Sequence, residues 1–295
     1  MKAIILSAGQ GRRLLPLTAE VPKCALQIGG RSLVEWQITQ LIKCGIEQVT
    51  VVVGFEADKV EHLLRSHYRP DQVQTLYNPF FAVSDNLVSC WLARHLMTED
   101  FILLNGDTLF EEAILDRLLG SLSRPITLVT DSKLTYDADD MKVTLDDHRV
   151  LRVGKTLQPD QSQGESIGMM LFRGNGPDLF VGAVEGATRK PQALKQWYLS
   201  VIDEMAQSGL VWSCPIQGLR WTEVDYSVDL EAAKKLVTSW DAPSSLKTPS
   251  ARQFSEPIPS HSLYPRPMPL QETEASPLRS RDLTGARDER GPHEG

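Results

Sequence analysis

The first 23 residues combine bare backbone with positive charge, a combination that suits phosphate binding. A short apolar run at residues 3–6 ends in Ser7, Ala8 and Gly9, and Gly11 follows. Because these residues carry little or no side chain, the backbone can approach an anion closely and direct its N–H groups inward. Arg12, Arg13 and Lys23 add positive charge to the same loop. The stretch therefore predicts a loop that binds a polyphosphate.

Two well-known phosphate loops do not fit this stretch. A dinucleotide-binding turn requires a third glycine where Leu14 stands, and a Walker loop requires a Gly-Lys-Ser/Thr tripeptide, which the loop lacks. The residues present are Gly9-x-Gly11-x-Arg13-Leu14-x-Pro16-Leu17-Thr18-x-x-x-Pro22-Lys23. This spacing resembles the signature of the nucleotidyltransferase family that couples nucleoside triphosphates to sugar phosphates and alcohol phosphates. Every fixed position of that signature is filled.

Two aspartates are candidates for a metal site. Asp107 directly follows an apolar strand at residues 101–104, and Asp225 follows another predicted strand and precedes the last predicted helix. Ligands bind outside the carboxyl ends of strands in an open α/β sheet, and nucleotide-bound Mg²⁺ needs one or two carboxylates. Helix capping is the alternative role for each aspartate. Gly106-Asp107 and Glu223-Val224-Asp225 resemble the two metal motifs of the family, so the resemblance covers about residues 1–240.

The remaining sequence predicts the elements that position these residues. Apolar strands are predicted at residues 48–53, 73–77, 101–104 and 125–130, with helices between the earlier ones. Ser32 and Glu35 form a capping box at the start of the first helix. This alternation predicts an α/β fold: a doubly wound, mixed but mainly parallel sheet with helices on both faces, Rossmann-like as in the family.

Less regular patterns follow in the second half of the chain. They predict a hairpin over residues 141–153, a strand at residues 166–172 and a helix over residues 192–208. Two further strands, at residues 210–215 and 219–224, precede a closing helix at residues 228–237. From about residue 241 the chain is rich in Pro, Ser and Arg and poor in large apolar residues. Residues 1–240 are therefore predicted to form the nucleotidyltransferase domain, and residues 241–295 a disordered tail.

Composition narrows the class of protein. The chain has 295 residues and a net charge of −7, which argues against general nucleic-acid binding. No apolar run approaches the roughly 20 residues that span a bilayer, and the N-terminus does not resemble a secretory signal. The four cysteines are far apart and indicate reduced thiols in a cytoplasmic protein. An oligomer is compatible with the sequence.

Several segments resemble the branch of the family that includes phosphocholine cytidylyltransferases. They are Asn78-Pro79, Ser84-Asp85-Asn86 with Ser89, residues 140–143 and residues 164–168. The classical sugar-nucleotide enzymes carry a Gln/Glu-x-x-Pro-x-Gly-type segment after the third strand instead, and this sequence lacks it. A hexose-1-phosphate acceptor is therefore disfavoured but not excluded.

The resemblance also implies roles for individual residues. Arg13 would bind the β- and γ-phosphates, Lys23 would bridge the α-phosphate and the incoming phosphate, and Asp107 and Asp225 would hold Mg²⁺. The other residues expected to bind nucleotide are Leu6, Ala8, Gly9, Gly11, Arg12, Asn86 and Ser89. The acceptor is expected to contact Lys142, Glu165 and Trp197, with Glu165 as a counter-charge to a cationic acceptor and aromatic faces binding it by cation–π attraction.

The favoured function is therefore Mg²⁺-dependent transfer of a nucleotidyl group. CMP from CTP would pass to a small alcohol phosphate such as phosphocholine, and pyrophosphate would be released. The alternatives are a sugar-1-phosphate nucleotidyltransferase that uses UTP, dTTP or GTP, a molybdopterin-type guanylyl transferase, and an inactive nucleotide-sensing relative. Arg13, Lys23, Asp107 and Asp225 are all present, which favours an active enzyme over the last alternative.

Overall fold

The structure, a computed structural model, describes residues 1–238 and Trp240. The predicted tail at residues 241–295 lies outside the described residues. The strands are β1 (Lys2–Ser7), β2 (Gln27–Ile28), β3 (Arg31–Ser32), β4 (Gln48–Val53), β5 (Val73–Tyr77), β6 (Phe101–Asn105), β7 (Thr108–Phe110), β8 (Ile126–Asp131), β9 (Lys142–Asp146), β10 (Arg149–Gly154), β11 (Gly164–Phe172), β12 (Val211–Pro215) and β13 (Trp221–Glu223). The helices are α1 (Leu33–Lys43), α2 (Ala57–His67), α3 (Asn86–Ala93), α4 (Glu112–Leu119), α5 (Gly176–Thr188), α6 (Tyr198–Gln207) and α7 (Ser227–Thr238).

A nine-stranded mixed sheet forms the centre of the fold, in the order β5-β4-β1-β6-β11-β8-β12-β10-β9. Strands β5, β4, β1 and β6 are parallel, as are β8 and β12, whereas β11 runs antiparallel between β6 and β8. The far edge is the antiparallel hairpin β9–β10. The prediction of a mixed α/β sheet is thereby confirmed. Because β1 and β6 are parallel neighbours, the segments that follow them meet at one edge of the sheet.

Both faces of the sheet are covered by apolar side chains. Along β1, Ile4 and Leu6 belong to one buried cluster, while Ala3 and Ile5 belong to the cluster on the opposite face. Successive side chains of a strand point to opposite faces, so a run that is apolar at every position indicates a sheet covered on both sides. This accounts for the continuous apolar run at residues 3–6 of the sequence.

The first helix begins as its sequence predicts. The Ser32 hydroxyl accepts a hydrogen bond from the backbone N–H of Glu35, and the Glu35 carboxylate accepts one from the backbone N–H of Ser32. This reciprocal pair is the capping box. It fixes the start of α1, whose inner face packs on β7 and on the turn that follows Lys23. The predicted hairpin at residues 141–153 is also confirmed as β9–β10.

Other predicted elements differ from the structure. The helix expected over residues 192–208 begins only at Tyr198, because Gln196 and Trp197 are extended and residues 193–195 form a separate 3-10 turn. The backbone N–H of Asp85 donates to the carbonyl of Leu194, so a tertiary contact holds this segment out of the helix. Helices α4 and α5 were not predicted. Three glycines in α5, which weaken helix propensity, hid it from the sequence pattern.

Among the described residues, no helix is long and apolar enough to cross a membrane.

Candidate active site

A cleft of about 600 Å³ lies at one edge of the sheet, beyond the ends of β6 and β8. Its wall combines side chains from distant parts of the sequence, among them Arg13, Asp107, Asp139, Glu165 and Asp225. Parallel strands deliver their following loops to the same edge, and ligands bind there in open α/β sheets. The cleft is therefore the place where the residues predicted to do chemistry can meet.

The glycine loop is shaped around Lys23. Gly11 has a φ of 75°, and its carbonyl accepts a hydrogen bond of 2.8 Å from the Thr18 hydroxyl. A Cβ added at Gly11 would lie 2.8 Å from the Cβ of Lys23, so any larger residue would collide with the lysine stem. Both observations explain why glycine stands at position 11. The loop thus fixes the direction in which Lys23 leaves the backbone.

Lys23 lies between the two predicted metal-binding aspartates. Its ammonium donates to Asp107 Oδ2 at 3.1 Å and also hydrogen-bonds to Asp225 Oδ1. Burial lowers the pKa of Lys23, but the carboxylates of Asp107 and Asp225 more than offset that effect and raise it overall. Burial likewise opposes the lowering of the pKa of Asp225 by Lys23 and Arg13, and the net direction is down. Lys23 and Asp225 therefore stay charged in this contact.

Arg13 extends the same charge network. Its guanidinium donates to Asp225 Oδ2 at 3.1 Å and to Asp139 Oδ1 at 3.5 Å. It also lies over the ring of Tyr226, 5.5 Å from the ring centroid. About 44% of the Arg13 side chain is exposed, against 13% for Lys23. Lys23 is thus the buried cation of this charge network and Arg13 the accessible one, which suits contact with an inner and an outer phosphate.

The donor set fits a divalent cation that also binds phosphate. Asp107 Oδ1 is buried and has no hydrogen-bond partner among the described residues, so one carboxylate oxygen is uncommitted. No group of three or more His, Cys, Asp or Glu side chains within the described part of the chain is arranged to hold a metal alone. Mg²⁺ typically uses one or two carboxylates together with substrate phosphate oxygens. Asp107 and Asp225 match that chemistry.

The backbone ties the two aspartates to the nucleotide loop. The N–H of Val224 donates to the carbonyl of Asp107 at 3.0 Å, at the end of the antiparallel pairing of β13 with β7. The N–H of Gly106 donates to the carbonyl of Leu6 at 2.9 Å. These bonds bring residues 6, 107 and 225 together although they are far apart in the sequence.

Glu165 and its partners form the acidic side of the cleft. The side chain of Glu165 is only 10% exposed and contacts the ammonium of Lys133 at 3.0 Å. The same ammonium lies 2.7 Å from Asp140. Burial raises the pKa of Glu165 to about 7; Lys133 opposes this effect and Asp140 adds to it. A buried carboxylate beside a second acid provides a place where a positive group is favoured.

Glu223 is not among the predicted site residues, although the tripeptide Glu223-Val224-Asp225 resembles a metal motif of the family. It lines the cleft, and burial together with the carboxylates of Asp107 and Asp225 raises its pKa to about 8. Its carboxylate has no hydrogen bond or ion pair among the described residues. The signal in the sequence was its position two residues before Asp225, which puts both side chains on the same face of a strand-like segment.

The β8–β9 loop, residues 132–141, contributes a large part of the cleft wall. Asp139 in this loop faces Arg13 and also lies 3.5 Å from the ammonium of Lys155. The Tyr226 hydroxyl donates to Asp139 at 3.4 Å. Trp197, which was predicted to contact the acceptor, lines the cleft with Lys155 over its ring at 4.6 Å.

Lys142 and Ser89 have other surroundings than predicted. Lys142 is buried, and its ammonium donates to the carbonyls of Asp137 at 2.6 Å and Asp140 at 3.2 Å. It therefore braces the β8–β9 loop and does not line the cleft. Ser89 is also buried, and its hydroxyl accepts a hydrogen bond of 3.0 Å from Asn78. Burial and these bonds place both side chains away from the cleft wall.

The other residues predicted to bind nucleotide are divided between the cleft wall, exposed positions and buried positions. Asn86 lines the cleft, and its side-chain oxygen accepts a hydrogen bond of 3.0 Å from the backbone N–H of Tyr198. Gly9 is exposed, and a Cβ there would meet nothing within 4 Å. Arg12 is exposed and donates to Gln10 at 3.3 Å. The last two residues of the set, Leu6 and Ala8, are buried at the start of the loop.

Known proteins resemble this chain in sequence and in fold. Residues 2–121 match the model of the nucleotidyl transferase family. The chain is 28% identical over 234 residues to a CMP-5'-(3-aminopropyl)phosphonate synthase from Streptomyces rubellomurinus, covering 76% of this chain and 37% of that protein. It is 29% identical over 237 residues to a bifunctional IPC transferase and DIPP synthase from Aquifex aeolicus, covering 79% of this chain and 51% of the relative.

One solved structure matches over the whole of its length. The CTP:phosphocholine cytidylyltransferase from Streptococcus pneumoniae superposes with a TM-score of 0.68 and 21% identity, over 80% of this chain and 98% of that chain. At this level of identity the match supports the α/β nucleotidyltransferase fold. The chain spans about half or less of the length of the two curated relatives, which are therefore larger proteins.

Proposed function

Because residues 2–121 match the model of the nucleotidyl transferase family, we propose that this protein transfers CMP from CTP to a small phosphate or phosphonate that carries a positive charge. The observation that carries this proposal is the position of Lys23. Its buried ammonium lies between Asp107 and Asp225, two carboxylates that line the cleft, and its stem lies beside Gly11 of the glycine loop. That arrangement places a cation and two carboxylates where two anions would have to react.

The chain's residues would act by positioning and by electrostatics. The acceptor's phosphate oxygen attacks the α-phosphorus of CTP in line, the bond to the β-phosphate oxygen breaks, and pyrophosphate leaves. A phosphate monoester is already an anionic nucleophile, so no general base is needed. Bound Mg²⁺ would supply neutralisation of the developing phosphate charge, as in other phosphoryl transfers. Asp107 and Asp225 would hold it.

Lys23 and Arg13 would exchange partners when substrates bind. In the structure both are paired with carboxylates that the cation would take up. Lys23 would then contact the α-phosphate and the acceptor's phosphate, because it is the buried cation. Arg13, which is more exposed, would contact the β- and γ-phosphates of CTP. This exchange keeps each charge neutralised in both states, which limits the cost of burying it.

The charge of the cleft supports a cationic acceptor. Its wall carries far more acids than bases: Asp107, Asp131, Asp137, Asp139, Asp140, Glu165, Glu223, Asp225 and Asp229 against Arg13, Lys133 and Lys155. Two acids are assigned to the metal, and a clear excess remains. A cleft of one sign raises the local concentration of oppositely charged groups. A substrate with an ammonium group at one end and a phosphate at the other fits this wall.

Aromatic rings add a second favourable contact for that ammonium. Trp197, Trp221 and Tyr226 line the cleft. Cations bind over such faces, and Lys155 already occupies that position over Trp197. The relative from Streptomyces rubellomurinus has an aminopropyl phosphonate in its product name, which is an acceptor of the same charge pattern.

The test is pyrophosphate release with a matched pair of acceptors. Each of CTP, UTP, dTTP, GTP and ATP is mixed with Mg²⁺ and with phosphocholine, aminoethylphosphonate, inositol phosphate, glycerol phosphate or a sugar-1-phosphate. The control for charge is 3,3-dimethylbutyl phosphate, the neutral carbon isostere of phosphocholine. We expect release with CTP and the ammonium-bearing acceptors, and much less with the neutral isostere.

Two results would contradict the proposal in different ways. Release with sugar-1-phosphates alone would assign the protein to the sugar-nucleotide enzymes. No release with any pair, from protein that retains its far-UV circular dichroism spectrum and binds nucleotide, would favour the inactive sensing relative.

A further inference from the structure

The turn that carries Asp107 is clamped from behind by a buried glutamine. Gly106 and Asp107 alone connect β6 and β7. The side-chain Nε2 of Gln37, on α1, donates to the carbonyl of Asn105 and to the carbonyl of Thr108, each at 2.8 Å. These carbonyls directly precede and follow the Gly106-Asp107 pair. A single NH₂ group therefore ties the two ends of the turn together.

Few side chains can supply this contact. It requires two hydrogens on one neutral nitrogen, which the carboxamide of Gln provides. A carboxylate at this position, or a flipped amide with its oxygen toward the turn, would place one acceptor against two carbonyl acceptors. No hydrogen bond could then form. An apolar side chain of the same length would leave both carbonyls without their donor.

Gln37 also retains an unfavourable feature that the helix alone does not explain. The residue is fully buried, and its Oε1 has no hydrogen-bond partner among the described residues. A buried polar atom without a partner is costly. An apolar residue at this position would avoid that cost and would still cover the core. The two hydrogen bonds to the turn are what Gln37 provides and an apolar residue cannot.

The rest of the turn has little freedom. The N–H of Gly106 is bonded to the carbonyl of Leu6, and a Cβ at position 106 would lie 2.1 Å from Ser7 Oγ. The carbonyl of Asp107 is bonded to the N–H of Val224. These contacts fix where the turn lies against β1 and β13. Gln37 sets the separation of its two ends, and hence the direction in which the Asp107 carboxylate leaves the backbone.

We propose that Gln37 is a positioning residue that directs the carboxylate of Asp107 at the divalent cation. It does not line the cleft, so it acts through the turn and not on the substrate. The inference rests on the metal assignment in the proposed function. Groups that orient a metal ligand from behind typically change metal affinity by about 10–100-fold when they are removed.

Gln40 provides a matched control on the same helix. It is also buried, at 3% exposure, and its Oε1 likewise has no partner within the described part of the chain. It forms no hydrogen bond with the turn at residues 105–108. Gln37→Met and Gln40→Met therefore remove the same chemical group from the same helix, but only the first one releases the turn.

The experiment measures Mn²⁺ binding to the full chain, by electron paramagnetic resonance, with the non-reactive α,β-methylene analogue of CTP bound. We expect Gln37→Met to bind Mn²⁺ at least about tenfold more weakly than the wild type. Gln40→Met should bind like the wild type even if its thermal unfolding temperature falls. Gln37→Leu, which removes both donors with another apolar side chain, should bind Mn²⁺ as weakly as Gln37→Met and serves if Gln37→Met does not fold.

The outcomes separate this inference from the proposed function. Equal Mn²⁺ binding by the wild type and the folded Gln37 variants would overturn the inference and leave the metal site standing. Equal weakening by Gln37→Met and Gln40→Met would overturn it too, because the effect would then come from loosening of α1. Absence of Mn²⁺ binding in the wild type would overturn the metal assignment, and the inference with it.

Discussion

The two sides of the cleft are built differently. We call residues 8–23 with Asp107 and Asp225 the phosphate half, and the β8–β9 loop with Glu165 and Trp197 the acceptor half. In the phosphate half a buried cation is paired with two carboxylates, and glycine conformation sets the backbone. In the acceptor half carboxylates exceed cations, and much of the loop is exposed.

Under the proposed function, this difference follows from what each half would recognise. Triphosphate groups are the same in every nucleotide, so a fixed loop of backbone N–H groups and cations suffices for them. An acceptor can differ in size and charge from one enzyme to the next. Its binding residues therefore come from separate strands and loops, where single substitutions change specificity without disturbing the phosphate site.

The largest effect is expected in the phosphate half. Lys23→Ala removes the cation between Asp107 and Asp225 and should lower turnover by at least about 100-fold, since single groups that stabilise developing charge contribute that much. Pyrophosphate release with CTP and the best acceptor is the readout. Lys43→Ala, at an exposed position on α1, is the control and should keep normal turnover. Normal turnover in Lys23→Ala would refute the assigned role.

A smaller and more selective effect is expected in the acceptor half. Glu165→Gln removes a buried negative charge and should raise KM for an ammonium-bearing acceptor about tenfold, because a charged contact of this kind contributes about 1.5 kcal/mol or more. KM for CTP should stay nearly constant. Glu185→Gln breaks a surface ion pair with Arg94 and is the control. An equal rise in KM for the neutral isostere would contradict a charge-based role for Glu165.

The smallest effect concerns stability and pH. Burial raises the pKa of folded Glu165 to about 7, above its value of 4.5 in the unfolded chain. Between these pH values the folded state binds more protons than the unfolded state. The contribution of Glu165 to the free energy of unfolding therefore falls as pH rises from about 5 to about 7. The slope is at most about 1.4 kcal/mol per pH unit. In urea unfolding at several pH values the free energy of unfolding should fall more steeply for the wild type than for Glu165→Gln, because Glu223, whose pKa is raised to about 8, contributes a slope to both proteins.

The phosphate half was largely predictable from the sequence because its chemistry is local. The spacing from Gly9 to Lys23 encodes a backbone conformation, and a φ of 75° at Gly11 is the kind of requirement that glycine meets. Asp107 was predictable because it follows a strand that is apolar throughout. The mixed α/β sheet followed from the order of strands and helices, and the structure and its relatives confirm it.

The acceptor half was predicted less completely because its residues meet only through the fold. Lys142 was predicted to contact the acceptor. Its position at the start of β9 buries the ammonium, which donates hydrogen bonds to the carbonyls of Asp137 and Asp140. Glu223 was overlooked because one glutamate in a short strand carries no signal by itself. The pairing of β13 with β7 is what brings it beside Asp107. The helix predicted at residues 192–208 begins later in the structure, because the backbone N–H of Asp85, from a distant segment, donates to the carbonyl of Leu194.

By itself the sequence determined the class of fold and predicted the glycine loop and the two aspartates as candidate site residues, since each depends on local spacing or on the pattern of apolar runs. Only the tertiary structure decided which side chains share the cleft, which are buried and what charge surrounds them. The reason is that burial and electrostatic interaction depend on distances between residues far apart in the chain. The contacts of Lys23 with Asp107 and Asp225, across 84 and 202 positions of sequence, are the clearest example.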